Sequence, residues 1–92
     1  MSIIQKQLTK SWFLYVVQCS DGTLYTGVTT DIERRIREHN GSKRGAKYTS
    51  SRRPVTLVYI KDCKDRMHAL REEYAFKSLS RKEKLKIIQK KP

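Results

Sequence analysis

The chain has 92 residues, and 21 Lys and Arg against 9 Asp and Glu give it a net charge of +12. This length allows one domain with one hydrophobic core and leaves no room for a separate binding domain. The positive charge favours nucleic acid as the partner over an anionic membrane or a plainly solvated surface. The chain lacks a bilayer-spanning apolar run and a signal peptide, which predicts a cytoplasmic protein without a membrane partner.

The expected organisation is simple. Residues 1–11 are predicted to be a flexible leader, residues 12–89 a single domain, and residues 90–92 a basic tail.

Cys19 and Cys63 are expected to be reduced thiols, because disulfides are rare in the cytosol. A zinc site is disfavoured because no C-x-x-C motif or histidine pair accompanies them. No small-molecule cofactor is indicated, since the chain has no Gly-rich phosphate loop.

A β-hairpin is predicted directly after the leader. Trp12–Cys19 is rich in aromatic and β-branched residues, which suit a half-buried strand. Asp21-Gly22 is a strong turn signal, and Thr23–Val28 is the returning strand. Because side chains alternate between the two faces, Tyr15 and Tyr25 lie on one side of the hairpin if the register pairs their faces.

The first helix is predicted to begin in the segment Thr30-Asp31-Ile32-Glu33, which matches a capping box. The helical period places Arg34 in water and Arg35 on the flank of an inward stripe. That stripe is formed by Ile32, Ile36 and His39.

Residues 40–53 are predicted to form a basic loop, because Gly41 ends the helix. Flexible cations next to an aromatic ring suit phosphate contacts and base stacking. The alternative is a solvated loop whose tyrosine packs back on the domain. The candidate nucleic-acid-binding residues are Lys43, Arg44, Lys47, Tyr48, Arg52 and Arg53.

One strand and two helices complete the predicted domain. Pro54–Lys61 is apolar on both faces, which predicts a central strand covered on both sides. Asp65 can cap a second helix over about residues 66–79. Ser80-Arg81-Lys82-Glu83 repeats the capping-box pattern and begins a third helix, which runs to about residue 89.

The second helix carries a carboxylate in an unusual position. An apolar arc that includes Met67 and Tyr74 also contains Glu73, whereas Glu72 lies near the edge of that arc. A carboxylate among core residues is costly unless it is paired or binds a cation. The alternative interpretation is an ion pair between Glu73 and Lys77 at the surface.

Two tyrosine motifs and the first helix resemble the GIY-YIG nuclease superfamily. Leu14-Tyr15-Val16 corresponds to the first tripeptide, and Tyr25-Thr26-Gly27 corresponds to Tyr-Ile-Gly. The segment Asp31–Ile36 matches the helix motif of the family and makes Arg35 its arginine, while a histidine at the position of His39 occurs in many members. The resemblance covers about residues 12–88 and is greatest to the small stand-alone bacterial YhbQ-like group.

The resemblance implies an α+β fold with the order β-β-α-β-α-α, in which helices flank a three-stranded antiparallel sheet. It also implies a metal-dependent endonuclease that hydrolyses phosphodiester bonds. DNA is expected as the substrate in preference to RNA, and the enzyme is expected to select it by shape rather than by sequence. The expected biological role is DNA repair or processing, and the expected oligomeric state is a monomer. The chain has no asparagine after Asn40, where many nucleases of the superfamily carry a functional one. A binding module with little or no catalysis is therefore the alternative, followed by a small basic interaction protein on a larger complex.

The resemblance also assigns roles to individual residues. Glu73 matches the glutamate that binds one divalent metal ion, Mg²⁺ or Mn²⁺. The expected catalytic residues are Tyr15, Tyr25, Arg35 and His39. Either tyrosine could act as the general base, with the histidine as its helper. The structural alternatives are packing for the tyrosines, an ion pair with Glu38 or Asp31 for the arginine, and a helix-dipole contact for the histidine.

Overall fold

The computed structural model describes residues 11–41 and 44–90. Residues 1–10 of the leader, Lys43 and residues 91–92 of the tail lie outside the described residues. The expected α+β fold and order of elements are confirmed, with one short helix, α2, added. In chain order the elements are β1 (Trp12–Gln18), β2 (Leu24–Thr29), α1 (Ile32–Gly41), α2 (Lys47–Ser50), β3 (Thr56–Cys63), α3 (Arg66–Lys77) and α4 (Arg81–Lys90).

The β1–β2 hairpin turns at the predicted Asp-Gly pair. Gly22 has a φ of +87°, a left-handed conformation that glycine adopts without steric cost. Asp21 Oδ1 accepts hydrogen bonds from the backbone N–H and the hydroxyl of Thr23, at 3.1 and 2.7 Å. The register places Tyr25 opposite Val17, two positions from Tyr15. The expectation that both tyrosines lie on one face is therefore confirmed.

β1, not β3, is the central strand of the described sheet, whose order is β2-β1-β3 with antiparallel neighbours. The prediction that residues 54–61 form the central strand is therefore wrong for the described part of the chain. The four residues Leu14–Val17 of β1 are all buried, whereas most residues of β3 are partly or fully exposed. Apolar residues on both faces of a strand thus reflect cover from helices and do not require a strand neighbour on each side.

The alternating side chains of β1 contribute to two separate cores. On one face, Leu14 and Val16 pack with Ala69 and Phe76 of α3. On the other face, Tyr15 forms a cluster with partly buried side chains of α1, which are Ile32 and Ile36. The predicted inward stripe of the first helix is therefore confirmed, and it defines the face of the sheet on which the candidate site lies.

The caps of the helices follow local sequence closely, with one correction. Asp31, rather than Thr30, caps α1, because its Oδ1 accepts the N–H of Arg34 at 3.1 Å. Asp65 caps α3 as predicted, and its Oδ1 accepts the N–H of His68 at 2.8 Å. The second capping box is confirmed in both directions, from the Ser80 N–H to Glu83 Oε1 at 2.9 Å and from the Glu83 N–H to Ser80 Oγ at 3.2 Å.

Helix α3 buries only part of the apolar arc predicted for it, which also contained Ala69 and Phe76. Ala69 and Phe76 are buried, whereas Met67 and Tyr74 are 61% and 77% exposed. The predicted arc was therefore too wide, since Ala69 and Phe76 pack in the apolar core and the other two residues do not.

None of the helices in residues 11–41 and 44–90 has the length and hydropathy of a membrane-spanning segment.

Candidate active site

The four residues expected to be catalytic lie together on the α1 face of the sheet. Tyr15 Oη lies 2.8 Å from His39 Nε2. Arg35 Nε donates a hydrogen bond to Tyr15 Oη at 3.3 Å. The Tyr25 ring meets the His39 ring edge to face, with 5.2 Å between centroids. The hairpin supplies both tyrosines, and one helical turn separates the arginine from the histidine.

Gly27 makes room for the first tyrosine. It lies opposite Tyr15 in the β1–β2 register. A Cβ atom at Gly27 would lie 2.6 Å from Tyr15 Oη and 2.7 Å from Cζ, which is closer than van der Waals contact allows. The glycine of the second tyrosine motif is thus required by the position of the ring across the strand.

Arg35 is held in one orientation by three acceptors. Besides its contact with Tyr15, its Nη1 donates to Glu38 Oε1 at 2.9 Å and to the carbonyl of Arg44 at 2.8 Å. Its side chain is 23% exposed, compared with 54% for Arg34, so the predicted division between the two arginines is confirmed. The ion pair with Glu38 exists, but it accompanies the contact to the tyrosine and does not replace it.

His39 is a neutral, buried residue. Its exposed fraction is 0%. Burial, together with the positive charge of Arg35, lowers the pKa of His39 from 6.5 to about 4. Burial also raises the pKa of Tyr15 above its ordinary value. Because the imidazole is uncharged near pH 7, attraction to the dipole of α1 does not explain its position.

The sequence analysis did not identify Thr49, which completes this cluster. Thr49 lies in α2 and is 0% exposed, and its Oγ1 lies 2.8 Å from His39 Nδ1. The only sequence signal for it was its place beside Tyr48 in the basic segment. The predicted loop at residues 40–53 therefore contains a short helix that covers the histidine.

Asn40 was also missed. Its side-chain amide donates to the carbonyl of Val55 at 3.1 Å, and its Oδ1 accepts the N–H of the same residue at 2.6 Å. This pair of hydrogen bonds fastens the end of α1 to the segment that leads into β3.

Tyr48 packs back on the domain. Its ring stacks on Tyr25, with 5.8 Å between centroids, and the guanidinium of Arg52 lies 4.1 Å from its centroid. Arg52 Nε in turn donates to Asp21 Oδ2 at 3.0 Å. Tyr48 is still 40% exposed, but because the two side chains cover its ring, it is poorly placed to stack on a base.

The other basic residues of this segment differ in exposure. Arg53 Nε donates to the carbonyl of His39 at 2.6 Å and supports the end of α1. Arg44 and Lys47 are exposed at the edge of the site. Lys43 lies outside the described residues, so the structure does not place it.

Glu73 lies on α3, the helix that packs against Leu14 and Val16 on the other face of β1. Its side chain is 21% exposed, and its Oε2 lies 3.2 Å from Lys77 Nζ, which is the predicted ion pair. Its negative charge contributes to the raised pKa of Tyr15, so the carboxylate lies within electrostatic range of the site. Among the described residues, no group of three or more His, Cys, Asp or Glu side chains could hold a metal. One carboxylate fits Mg²⁺, which keeps several waters and shares phosphate oxygens with the substrate.

Comparisons with known proteins place the chain in a family. A model of the GIY-YIG catalytic domain matches residues 11–86. A UPF0213 protein from Desulfotalea psychrophila is 56% identical over 90 residues, which cover 96% of this chain and 82% of that protein. A solution NMR structure of a UPF0213 protein from Bacillus halodurans has a TM-score of 0.58 and 42% identity, and covers 88% of this chain and 85% of its own. A protein from E. faecalis, also solved by NMR, has a TM-score of 0.62, 43% identity and the same coverage. The resemblance inferred from the motifs is confirmed.

Proposed function

The chain belongs to the GIY-YIG family of nucleases, and from that premise we propose that it is a metal-dependent endonuclease that hydrolyses phosphodiester bonds of DNA. Membership in this family implies an interaction with nucleic acid. The observation that best supports catalysis is the fixed guanidinium of Arg35, which is linked through Tyr15 to His39 and belongs to a partly exposed side chain. A protein that only binds nucleic acid needs cations at its surface. It does not need a buried tyrosine and histidine that are hydrogen-bonded to each other and to one of those cations.

Arg35 is the proposed phosphate clamp. A guanidinium is planar and permanently charged, and it matches the oxygens of a phosphate group. Because its Nε and Nη1 are already held, little reorganisation is needed when negative charge builds on the phosphate. The remaining exposed part of the side chain is available to the substrate.

Tyr25 is the better candidate for the general base. A base must come within hydrogen-bond reach of the water that it deprotonates. Tyr15 is 1% exposed, and its hydroxyl already contacts Arg35 and His39. Tyr25 is partly exposed at the mouth of the same cluster. We therefore assign proton transfer to Tyr25 and assign positioning of the arginine to Tyr15.

Glu73 is the proposed ligand of a single Mg²⁺ or Mn²⁺. When bound, such an ion supplies positive charge to the scissile phosphate and the leaving oxygen. Glu73 must exchange its ion pair with Lys77 for this role, and an exposed ion pair of this kind is worth less than about 1 kcal/mol. The same ion pair is the observation that favours the second candidate, a binding module with little catalysis.

The proposed substrate contacts are chiefly to phosphates, because the net charge is +12 and the cluster offers few groups that could read base edges. Selection would then depend on the shape of the nucleic acid, as in flaps, branches or single strands. A cytoplasmic role in DNA repair or processing, performed by a monomer, is part of the same proposal.

The test is cleavage of end-labelled single-stranded, duplex and branched DNA, and of RNA, in Mg²⁺, Mn²⁺ or EDTA. Arg35→Ala and Glu73→Gln are each expected to lower the rate by about 100-fold or more. Neighbouring residues provide matched controls, since Arg34→Ala and Glu72→Gln change the same side-chain types outside the cluster. These controls are expected to stay within about threefold of wild type.

Two results would count against this function. If folded wild-type protein binds DNA but cuts none of the substrates, the binding module becomes the better account. If the controls lose as much activity as the two site variants, the site is wrongly placed. Binding in EDTA should weaken about tenfold or more between ~50 and ~200 mM salt, because phosphate contacts release counterions.

A further inference from the structure

The hydroxyl of Thr49 has a fixed direction. Thr49 Oγ1 donates its proton to the carbonyl of Ala46 at 3.0 Å, within the turn that begins α2. A carbonyl oxygen can only accept, so this contact is a hydrogen bond only when the hydroxyl of Thr49 donates its proton to it. The same oxygen lies 2.8 Å from His39 Nδ1, where it must then act as the acceptor. His39 Nδ1 therefore carries the hydrogen.

This arrangement determines the direction of every later hydrogen bond in the cluster. A neutral imidazole has one N–H, so His39 Nε2 presents a lone pair. Tyr15 Oη lies 2.8 Å from Nε2 and donates its proton to it. A lone pair of the Tyr15 oxygen then remains to accept Arg35 Nε–H at 3.3 Å. In the series that runs from Arg35 through Tyr15, His39 and Thr49 to the Ala46 carbonyl, each donated proton therefore has one acceptor.

The opposite tautomer does not satisfy the same atoms. With hydrogen on Nε2 of His39, the Tyr15 oxygen would receive protons from both His39 and Arg35. The hydroxyl proton of Tyr15 would then have no acceptor, because Tyr15 Oη forms hydrogen bonds with only these two groups within the described chain. Tyr15 and His39 are 1% and 0% exposed, so bulk water does not replace the missing partner.

We propose that Thr49 is a positioning residue: it fixes the Nδ1–H tautomer of His39 and, through Tyr15, the orientation of the Arg35 guanidinium. For its catalytic consequence this inference rests on the proposed nuclease function. The tautomer itself is independent of any substrate. The segment that contains α2 then has a role other than contact with phosphate, because Thr49 forms the end of the hydrogen-bond series opposite to Arg35.

The second histidine of the chain provides an internal reference. The backbone N–H of Lys64 donates to His68 Nδ1 at 3.0 Å, and His68 Nε2 lies 3.4 Å from Glu72 Oε2. His68 should therefore carry its hydrogen on Nε2. Long-range ¹H–¹⁵N correlation spectra of histidine-labelled wild-type protein, recorded at about pH 8 in EDTA, should show opposite tautomers for His39 and His68. A spectrum in which His39 is protonated on Nε2, or exchanges between both tautomers, would overturn the proposal.

Two substitutions then test whether Thr49 is the cause. Thr49→Val keeps the shape but removes the hydroxyl, and it should populate the Nε2–H tautomer of His39 and lower the cleavage rate at saturating substrate by about tenfold or more. Thr49→Ser keeps the hydroxyl and should retain the wild-type tautomer and a rate within about threefold of wild type. The unchanged signals of His68 would show that the variants are folded.

The outcomes separate this inference from the nuclease proposal. If wild type cuts no nucleic acid but His39 is an Nδ1–H tautomer that Thr49→Val disturbs, the nuclease proposal fails and the positioning of His39 stands. If Thr49→Val leaves the tautomer of His39 unchanged, the positioning role is wrong whatever the cleavage assay shows. If the tautomer changes and the cleavage rate does not, Thr49 orients His39 without affecting Arg35, and the proposed action on the arginine is refuted.

Discussion

The two faces of β1 are equally dry but are built from different chemistry. On the face toward α3, Leu14 and Val16 meet Phe76 in an apolar cluster. On the face toward α1, Tyr15 and His39 are just as buried, but hydrogen bonds connect them. Alternate residues of a single strand thus belong to an apolar core and to a hydrogen-bonded cluster that holds Arg35.

This difference predicts different responses to substitution. An apolar cluster is stabilised by close packing and buried area, so both a smaller and a larger side chain lower its stability. A buried series of linked hydrogen bonds depends on the orientation of each group, because each donor needs its own acceptor. The loss of one partner therefore affects the next hydrogen bond in the series. Changes on the α3 face should therefore appear mainly in the free energy of unfolding. Changes on the α1 face should appear mainly in activity.

The largest expected effect on stability comes from Phe76→Ala. Phe76 is 5% exposed and stacks on Tyr59, with 5.9 Å between ring centroids. Its loss should lower the free energy of unfolding by about 3–5 kcal/mol in urea titrations. Tyr74→Ala, on the same helix but 77% exposed, should change it by less than about 0.5 kcal/mol. Similar losses for both variants would contradict the assigned inner stripe of α3.

Gly27→Ala should affect the other face. The new methyl group would lie 2.6 Å from the original position of Tyr15 Oη, so the ring must shift and its hydrogen bonds with His39 and Arg35 must change. We expect the unfolding free energy to fall by about 1–3 kcal/mol and cleavage to fall by at least about tenfold. Gly41→Ala is a suitable control, because a Cβ there has nothing within 4 Å. Unchanged cleavage by Gly27→Ala would show that Tyr15 does not need its observed position.

The pH dependence of stability should reveal the buried histidine. The unfolded chain binds a proton at His39 with a pKa of 6.5, whereas burial lowers the pKa of His39 in the folded state to about 4. The unfolded state therefore gains protons as the pH falls, and unfolding should become easier by about 2 kcal/mol between about pH 7 and 5. This loss should be absent in His39→Gln, measured by urea titration at each pH. An equal loss in that variant would assign the effect to other groups.

Carboxylates do not obscure this window. The hydrogen bond from Arg35 lowers the pKa of Glu38, and the one from Lys61 lowers the pKa of Glu72. Such groups stabilise the folded state above the ordinary carboxylate pKa of about 4, and this contribution is lost only as the pH falls below that value. The decline above about pH 5 therefore reports the histidine.

The smallest predicted effect is at the start of α4, where Ser80 is exposed. Ser80→Ala removes the acceptor for the Glu83 N–H and should lower the unfolding free energy by about 1 kcal/mol. Cleavage at a temperature where the variant is folded should be unchanged. A selective loss of cleavage would show that α4 contributes to the site in a way that its contacts do not indicate.

Local patterns were predicted well from the sequence, because a few neighbouring residues determine them. The Asp21-Gly22 turn, the Asp65 cap and the shared face of the two tyrosines are examples. The contact of Thr49 with His39 joins residues ten apart through a segment without helical or strand periodicity. No pattern in that segment indicates which side chain turns inward.

Longer-range features failed for a related reason. The apolar faces of β3 do not reveal its position in the sheet, because pairing partners are chosen by the whole chain. The apolar residues of α3 likewise do not show that Ala69 and Phe76 are buried while Met67 and Tyr74 are exposed. The catalytic roles assigned to Tyr25, Arg35 and Glu73 stay predictions until cleavage is measured.

The two hydrogen bonds between Asn40 and Val55 have a consequence for chain entropy. They join the ends of the segment 41–54, so that its closure does not depend on the contacts of α2 alone. The cost of closing a flexible loop grows only slowly with its length. Segments of different length and composition can therefore connect these two anchor points with little change in the closure cost. The part of the chain that covers His39 can then vary in sequence around Thr49 while the hairpin and α1 keep their geometry.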